Sequence, residues 1–272
     1  MNRPRFPVLV VVALVVGNVL LVASVAYPVS EAEPRPAVEA FESPVSDEYH
    51  LLATIVTDGE STLEIDGAVA ASGERYVRTV QGETVVERYQ PNGTSGAEYA
   101  RYVVDESEAD ARMQQFDDDE DLEVLTHRGN GESVTITTVD ADPSTDGGDR
   151  LAGAASVVAA QLRLVQYDTV DHDAVAGNDD SPEIRTLRPE SGWYAGEQSY
   201  RISDAEGTVE IDPETSVLVA ADVRWELTRG TETYLHYLLN RDATVSQELT
   251  YEYRTENVSV DRPDWVENHP EN

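Results

Sequence analysis

The chain has 272 residues, with 53 acids against 19 bases and a formal charge of −34; every base is Arg, and neither Lys nor Cys occurs. Such a charge excludes nucleic acid and anionic lipid headgroups as partners, because their phosphates would be repelled. The lack of Cys excludes disulfides, thiolate chemistry and a thioether-linked lipid.

Hydrophobic residues make up 40% of the chain, enough for a core. Their regular alternation separates it from acidic disordered polymers. A folded domain adapted to molar salt fits both observations: at 1 M the Debye length is about 3 Å, so crowded carboxylates repel one another little. The residue usage points to a halophilic, archaeal source.

The first element is Val8 to Ala26, which has no charged residue and one strongly polar one, Asn18. As a helix it would reach about 28 Å, close to a bilayer's hydrocarbon thickness. Arg3 and Arg5 precede it and Glu31 and Glu33 follow. This asymmetry predicts a single-pass protein of the cell membrane, with the N-terminus in the cytoplasm and residues 28 onward outside. The alternative is a secreted protein, cleaved at the small-x-small site Ser24-Val25-Ala26. The apolar run is longer than the roughly 7–15 residues usual for signal peptides, which favours the anchor.

Three regions follow from this. Residues 1–27 form the cytoplasmic tip and anchor. Residues 28–47 form an acidic linker broken by Pro28, Pro34, Pro36 and Pro44. Residues 48–272 form an extracytoplasmic β-rich domain.

In that domain Leu51, Ala53 and Ile55 alternate with Leu52, Thr54 and Val56, and Asp58-Gly59 marks a turn. Leu63, Ile65, Gly67 and Val69 then share a face. Further strands are expected at Glu74–Val80, Glu83–Tyr89 and Glu98–Val104. Glu108–Phe116 reads as a short helix with Ser107 at its N-cap, ending in the acidic run Asp117–Asp121. Leu122–Thr126 and Ser133–Val139 follow as strands.

The strongest helix is expected at Arg150–Tyr167, where Leu151, Ala155, Val158, Leu162 and Val165 recur at helical spacing. Its apolar character predicts packing on the sheet. In the last third, Val217, Val219, Ala221, Val223, Trp225 and Leu227 face one way. Thr231–Leu239 and the stretch from Val245 to Tyr253 complete an expected antiparallel meander. The predicted fold is therefore α+β: a curved antiparallel sheet with a long apolar helix on one face, preceded by one transmembrane helix.

The order of membrane segment, hairpins, central apolar helix and hairpins, closing with Glu248–Val260 and Pro263-Asp264-Trp265, resembles the Lol-type lipoprotein carriers and related mycobacterial lipoproteins. The stretch Gly207 to Thr215 is similar to the hairpin before their long C-terminal strands. The resemblance spans about residues 49–265. It implies a half-barrel with helices over its concave side and a cavity for an acyl chain or other apolar ligand. The chain departs from these carriers in its anchor and in having no Cys for lipidation.

Little catalytic chemistry is legible. The histidines His50, His127, His172, His236 and His269 are scattered, and no nucleophile elbow, zinc-protease helix or phosphate loop occurs. Asp142, Ser144, Asp146 and Gly147 open like a calcium loop, but the twelfth place holds Gly153 where a bidentate Glu is needed. Asp171-His172-Asp173 reads as a solvated loop, because adjacent side chains on an extended chain diverge. Tyr234, Tyr237, Tyr251 and Tyr253 read as half-buried strand residues. Asn92 and Asn257 begin glycosylation sequons on the outer side.

No catalytic residue, cofactor or metal is expected. Three functions stay open: a non-enzymatic anchored module binding a lipid or other apolar ligand, a structural or interaction module of the envelope with a filled core, and a hydrolase. A cavity of several hundred Å³ under the long helix would favour the first.

Overall fold

The computed structural model describes residues 33–34, 41, 46–91, 96–129, 131–141, 150–170, 184–195, 199–232 and 234–267. Val8–Ala26, the Asp142 loop, Asp171-His172-Asp173, His269 and Asn92 lie outside them. Among the described residues no helix is long and apolar enough to cross a membrane.

Among the described residues fourteen strands form one open, curved, almost wholly antiparallel sheet. In chain order they are β1 (Glu33–Pro34), β2 (Tyr49–Thr57), β3 (Glu60–Val69), β4 (Arg75–Gln81), β5 (Thr84–Gln90), β6 (Glu98–Asp105), β7 (Leu122–Gly129) and β8 (Ser133–Asp140). The second half adds β9 (Gln166–Thr169), β10 (Arg185–Glu190), β11 (Gly192–Ala195), β12 (Tyr200–Ile211), β13 (Leu218–Arg229) and β14 (Val245–Arg254). Among the described residues four α-helices interrupt them, α1 (Glu106–Asp117), α2 (Arg150–Leu162), α3 (Tyr234–Asn240) and α4 (Asp264–Glu267), with a 3-10 turn at Arg241–Ala243 after α3.

The strand order is β1-β11-β12-β13-β14-β2-β3-β4-β5-β6-β8-β7, with β10 and β9 continuing beside β12. At about 4.8 Å per strand, β1 and β7 stand roughly 50 Å apart along the sheet. The β14–β2 pairing joins the two halves of the chain, with Leu249 opposite Ile55 and Tyr251 opposite Ala53.

Cross-strand partners share a face, so one inward row runs Val209, Ala221, Tyr251, Ala53, Ile65, Thr79, Val86, Tyr102 and Ile136. Both longer helices lie on this inner face. Beneath α2, Leu151, Ala155, Val158 and Leu162 belong to one buried cluster with Ile65, Val223, Trp225 and Tyr251. Beneath α1, Ala109 and Phe116 pack with Tyr102, Val104 and Ile136. On the outer face the C-terminal segment crosses back, where Val260, Trp265 and Val266 cover Tyr89 and Tyr99.

Two glycines make these contacts possible. Gly67 sits where Leu151 of α2 meets the sheet; a Cβ there would lie 2.6 Å from Leu151 Cδ1. Gly207 has φ +106°, and a Cβ there would fall 2.0 Å from the Asp222 carbonyl oxygen. It lies beside the β12 irregularity between Ser203 and Glu206, where only glycine allows so close an approach.

The structure corrects several expectations. The helix from Arg150 stops at Leu162, not Tyr167, and Gln166–Thr169 is a strand. Its last turn tightens, with Val165 N–H donating to the Leu162 carbonyl, which also accepts from the Tyr167 hydroxyl at 2.9 Å. Thr231–Leu239 is not a strand: Tyr234–Asn240 is helical, because Leu235, Leu238 and Leu239 recur at helical spacing. The first helix is capped by Asp105, not Ser107, since the Asp105 side chain accepts from the Ser107 N–H.

The domain also reaches back into the stretch expected as a linker. β1 pairs in parallel with β11, Glu33 opposite Tyr194 and Pro34 opposite Ala195. Phe41 is buried against Tyr167, with ring centroids 5.7 Å apart, and its carbonyl accepts from Arg163 at 3.0 Å.

Candidate functional site

The inner face is the place where a half-barrel would hold a ligand, and the part of it beneath α2 is packed with buried side chains. Leu51, Val158, Leu162, Val165, Ile202 and Val209 have no exposed surface. A side chain with zero accessible surface touches no water-sized void, whether open or enclosed. At the N-terminal end of α2 a cavity of about 30 Å³ lies between Tyr49, Val77, Arg88, Glu98 and Leu151. That is room for about one or two water molecules.

Glu98 is the buried carboxylate of this face, its side chain 9% exposed. It lines up on β6 beside Arg88 of β5 and below Arg150 at the start of α2. Arg88 Nη1 donates to its Oε1 at 2.6 Å, and Arg150 Nη1 approaches the same oxygen at 3.2 Å. Arg88 Nη2 donates to the Tyr102 hydroxyl at 3.0 Å. This ion cluster separates the apolar patch under α2 from the one under α1. Its geometry suits a staple: one carboxylate fixes the start of α2 to two strands, and its desolvation is offset by two guanidinium groups.

The outer face carries two shallow grooves that meet at Asp66. One, of about 620 Å³, lies under the returning C-terminal segment and is lined by His50, Asp66, Tyr76, Arg254, Asn257 and Ser259, among others. His50 Nε2 lies 3.0 Å from Asp66 Oδ1. Tyr76 donates to Glu87 at 3.0 Å, and burial and then Glu87 push its hydroxyl above the ordinary tyrosine range. The other groove, about 710 Å³, crosses β3, β2, β14, β13 and β12. Glu64, Asp66, Glu210, Asp222 and Glu252 line it against Arg78. Both are open and polar.

The residues singled out from sequence do not converge. His50 has its carboxylate partner, His127 is exposed on β7, and His236 pairs with Glu232 at 3.0 Å on α3. Asp117–Asp121 is exposed, and among the described residues no group of acids and histidines has metal-binding geometry. Asn257 is exposed at φ +54°, in the bend after β14. Tyr251 is core, not half-buried, and burial raises its hydroxyl above the ordinary tyrosine range.

Sequence inspection missed a cluster at the β11 edge. Trp193, Arg201 and Tyr237 come together there, with the Arg201 guanidinium 4.9 Å from the Trp193 ring centre and 4.5 Å from that of Tyr237. The two rings meet edge to face at 5.1 Å. The available signal was the helical spacing in Tyr234–Asn240. No family model matches the chain, and no curated protein or solved structure is similar to it.

Proposed function

We propose that this chain is a membrane-anchored, non-enzymatic module displayed outside the cell, acting through its surface and not by carrying a lipid inside. The observation that carries this reading is the filled inner face beneath α2, where fully buried aliphatic side chains and a cavity of about 30 Å³ occupy the space an acyl chain would need. A site for such a ligand takes several hundred Å³.

Native mass spectrometry of the full chain, released from a bilayer mimic in molar volatile salt, tests this. The expected spectrum is the bare chain mass after detergent removal. A lipid retained at one per chain through that removal would overturn the filled-core reading and restore the carrier. Protease added to intact cells should remove everything after Tyr27 and leave a short stub; full protection would overturn the outside placement.

A hydrolase draws support from one feature, the His50–Asp66 pair and Ser259 lining one groove. A carboxylate that orients an imidazole is a part of serine-hydrolase machinery. Covalent labelling of Ser259 by a fluorophosphonate probe, abolished by His50→Ala, would displace the non-enzymatic reading. The expected result is no labelling.

A further inference from the structure

Three large apolar side chains stand exposed among the described residues, and two of them are consecutive on α3: Leu238 at 47% and Leu239 at 71%. The third, Val157, lies apart on α2. Beside the two leucines is the Trp193–Arg201–Tyr237 stack. Tryptophan and tyrosine with an adjacent cation, next to protruding leucines, is the side-chain chemistry of a membrane interface: rings at headgroup level, aliphatic tips in the acyl boundary.

Charge separates this edge from the rest of the molecule. Along residues 229–242, Arg229 and Arg241 balance Glu232 and Asp242, and Arg201 is offset by Glu33 of β1. The chain as a whole carries −34. A near-neutral tip on so acidic a domain is the part that a bilayer surface repels least.

The fold brings this tip to the start of the chain. Glu33 pairs with Tyr194, next to Trp193. Seven residues take the chain from Ala26, the end of the apolar stretch, to Glu33, and a chain of that length spans at most about 25 Å. The far edge at β7 is roughly 50 Å away along the sheet. An anchor at Val8–Ala26 therefore holds the β11 edge at the bilayer. The tether makes contact intramolecular, so a small apolar patch is enough to keep it seated.

We propose that Leu238 and Leu239 of α3, with the Trp193–Arg201–Tyr237 stack beside them, rest in the headgroup–acyl boundary of the bilayer that holds Val8–Ala26, laying the domain on the membrane by the β11 edge of its sheet. This rests on the anchored reading above. Hydrogen bonds tie the C-terminal end of α3 to the neighbouring strand ends. Asn240 Nδ2 donates to the carbonyl of Gly230 at 2.8 Å and so closes α3 back onto the end of β13. Thr228 and Thr244 bridge the same hairpin through their hydroxyls at 2.8 Å.

The chain has no native Cys, so a single introduced thiol reports from one place. Full-length Leu239→Cys and Gln114→Cys, the latter on exposed α1, are labelled with a polarity-sensitive dye. Each is reconstituted into phosphatidylcholine vesicles in molar KCl, with and without brominated acyl chains. The expected result is a blue-shifted Leu239 label quenched several-fold more than the Gln114 label. Amide exchange on the unlabelled chain should show residues 236–241 protected in vesicles relative to detergent. Equal, weak quenching at both sites with no protection at α3, in chains that float with the vesicles, would overturn the contact and leave the anchor standing. Chains that fail to float would overturn both.

Discussion

On one face of the sheet, α2 buries Leu151, Ala152, Ala155, Val158, Ala159 and Leu162, whereas α1, only one residue shorter, buries Ala109 and Phe116. α2 carries no acid in its first turn. Between Glu106 and Asp121 the α1 region carries eight acids against Arg112. One helix is held by an apolar stripe and needs little help from the solvent. The other lies on two side chains and a cap, and depends on salt to quiet its own charge. The difference matches position: α2 covers β2 and β3 at the middle of the sheet, and α1 covers the β6–β8–β7 edge far from β1. An acidic edge at one end and a leucine-tipped edge at the other are what the proposed seating on a bilayer needs to give the sheet a direction.

The largest test of this contrast places a carboxylate under each helix. Val158→Asp buries an unpaired charge in the main cluster and should cost several kcal/mol, much of a typical stability of about 5–15 kcal/mol. Thermal unfolding should show loss of the cooperative transition. Ala109→Asp should loosen α1 while leaving the far-end core folded, visible as amide exchange confined to residues 98–140. Global unfolding by both would mean that the two ends form one cooperative unit.

Leu162→Ala comes next. In a filled core it should cost about 2–5 kcal/mol, read from chemical denaturation in molar salt. A loss below about 1 kcal/mol would mean that the space around Leu162 is already loose, which would reopen the inner face as a ligand site. Gly67→Ala is the smaller companion. Its new methyl would meet the Leu151 side chain and the Tyr76 carbonyl at 3.1 Å. Overpacking of this kind costs about 1–3 kcal/mol, and the added cost of the methyl should shrink, to what the Tyr76 carbonyl contact imposes, in a Leu151→Ala background.

These tests bear on parts of the fold that were legible from the start. Strand alternation marked the inner residues of β2, β3, β13 and β14 because one face of each is buried, so burial and sequence period agree. Leu151, Ala155, Val158 and Leu162 were legible as one helical stripe. The end of α2 was not, because Leu164, Val165 and Tyr167 stay apolar beyond it and serve the same core from a turn and a strand. α3 was hidden by Thr, Tyr and His, which suit strands as well as short helices. The β11-edge cluster was least legible of all: Trp193 and Arg201 are partners across one hairpin, but Tyr237 reaches them only through a helix folded back at the tip of the next one. The pairing of Glu33 with Tyr194 joins residues about 160 positions apart, and no local pattern encodes it.

Salt should act unevenly. Going from molar to about 0.1 M lengthens the Debye length from about 3 to about 10 Å, so the eight acids of the α1 region begin to repel across neighbouring turns. Amide protection in α1 should fall first, and protection in α2 should persist to lower salt. Loss of both at one salt concentration would show that charge destabilises the domain globally.

The smallest effect concerns acid. Asp105 accepts from both the Ser107 hydroxyl and the Ser107 N–H, and these bonds hold its carboxyl below the ordinary aspartate range. A group whose folded value is depressed adds stability that is complete above the ordinary value, near 3.9. That contribution fades as pH falls through the folded value. Protonation also removes a negative charge from the positive end of α1. Below about pH 4, therefore, the first turn of α1 should fray, seen as faster exchange at Ser107 to Ala109 in molar salt. Asp212, held low by Thr215 and then by the Glu214 N–H, should weaken the β12–β13 turn over the same range. Asp105→Asn, whose amide oxygen can still accept but cannot titrate, should flatten the pH response at α1 and leave that at the turn intact. The second half of α2, Val158 to Leu162, lies clear of the Glu98 cluster and should show no comparable step; an equal step there would mean that acid loosens both helices through the sheet they share, and the two would no longer be held in different ways.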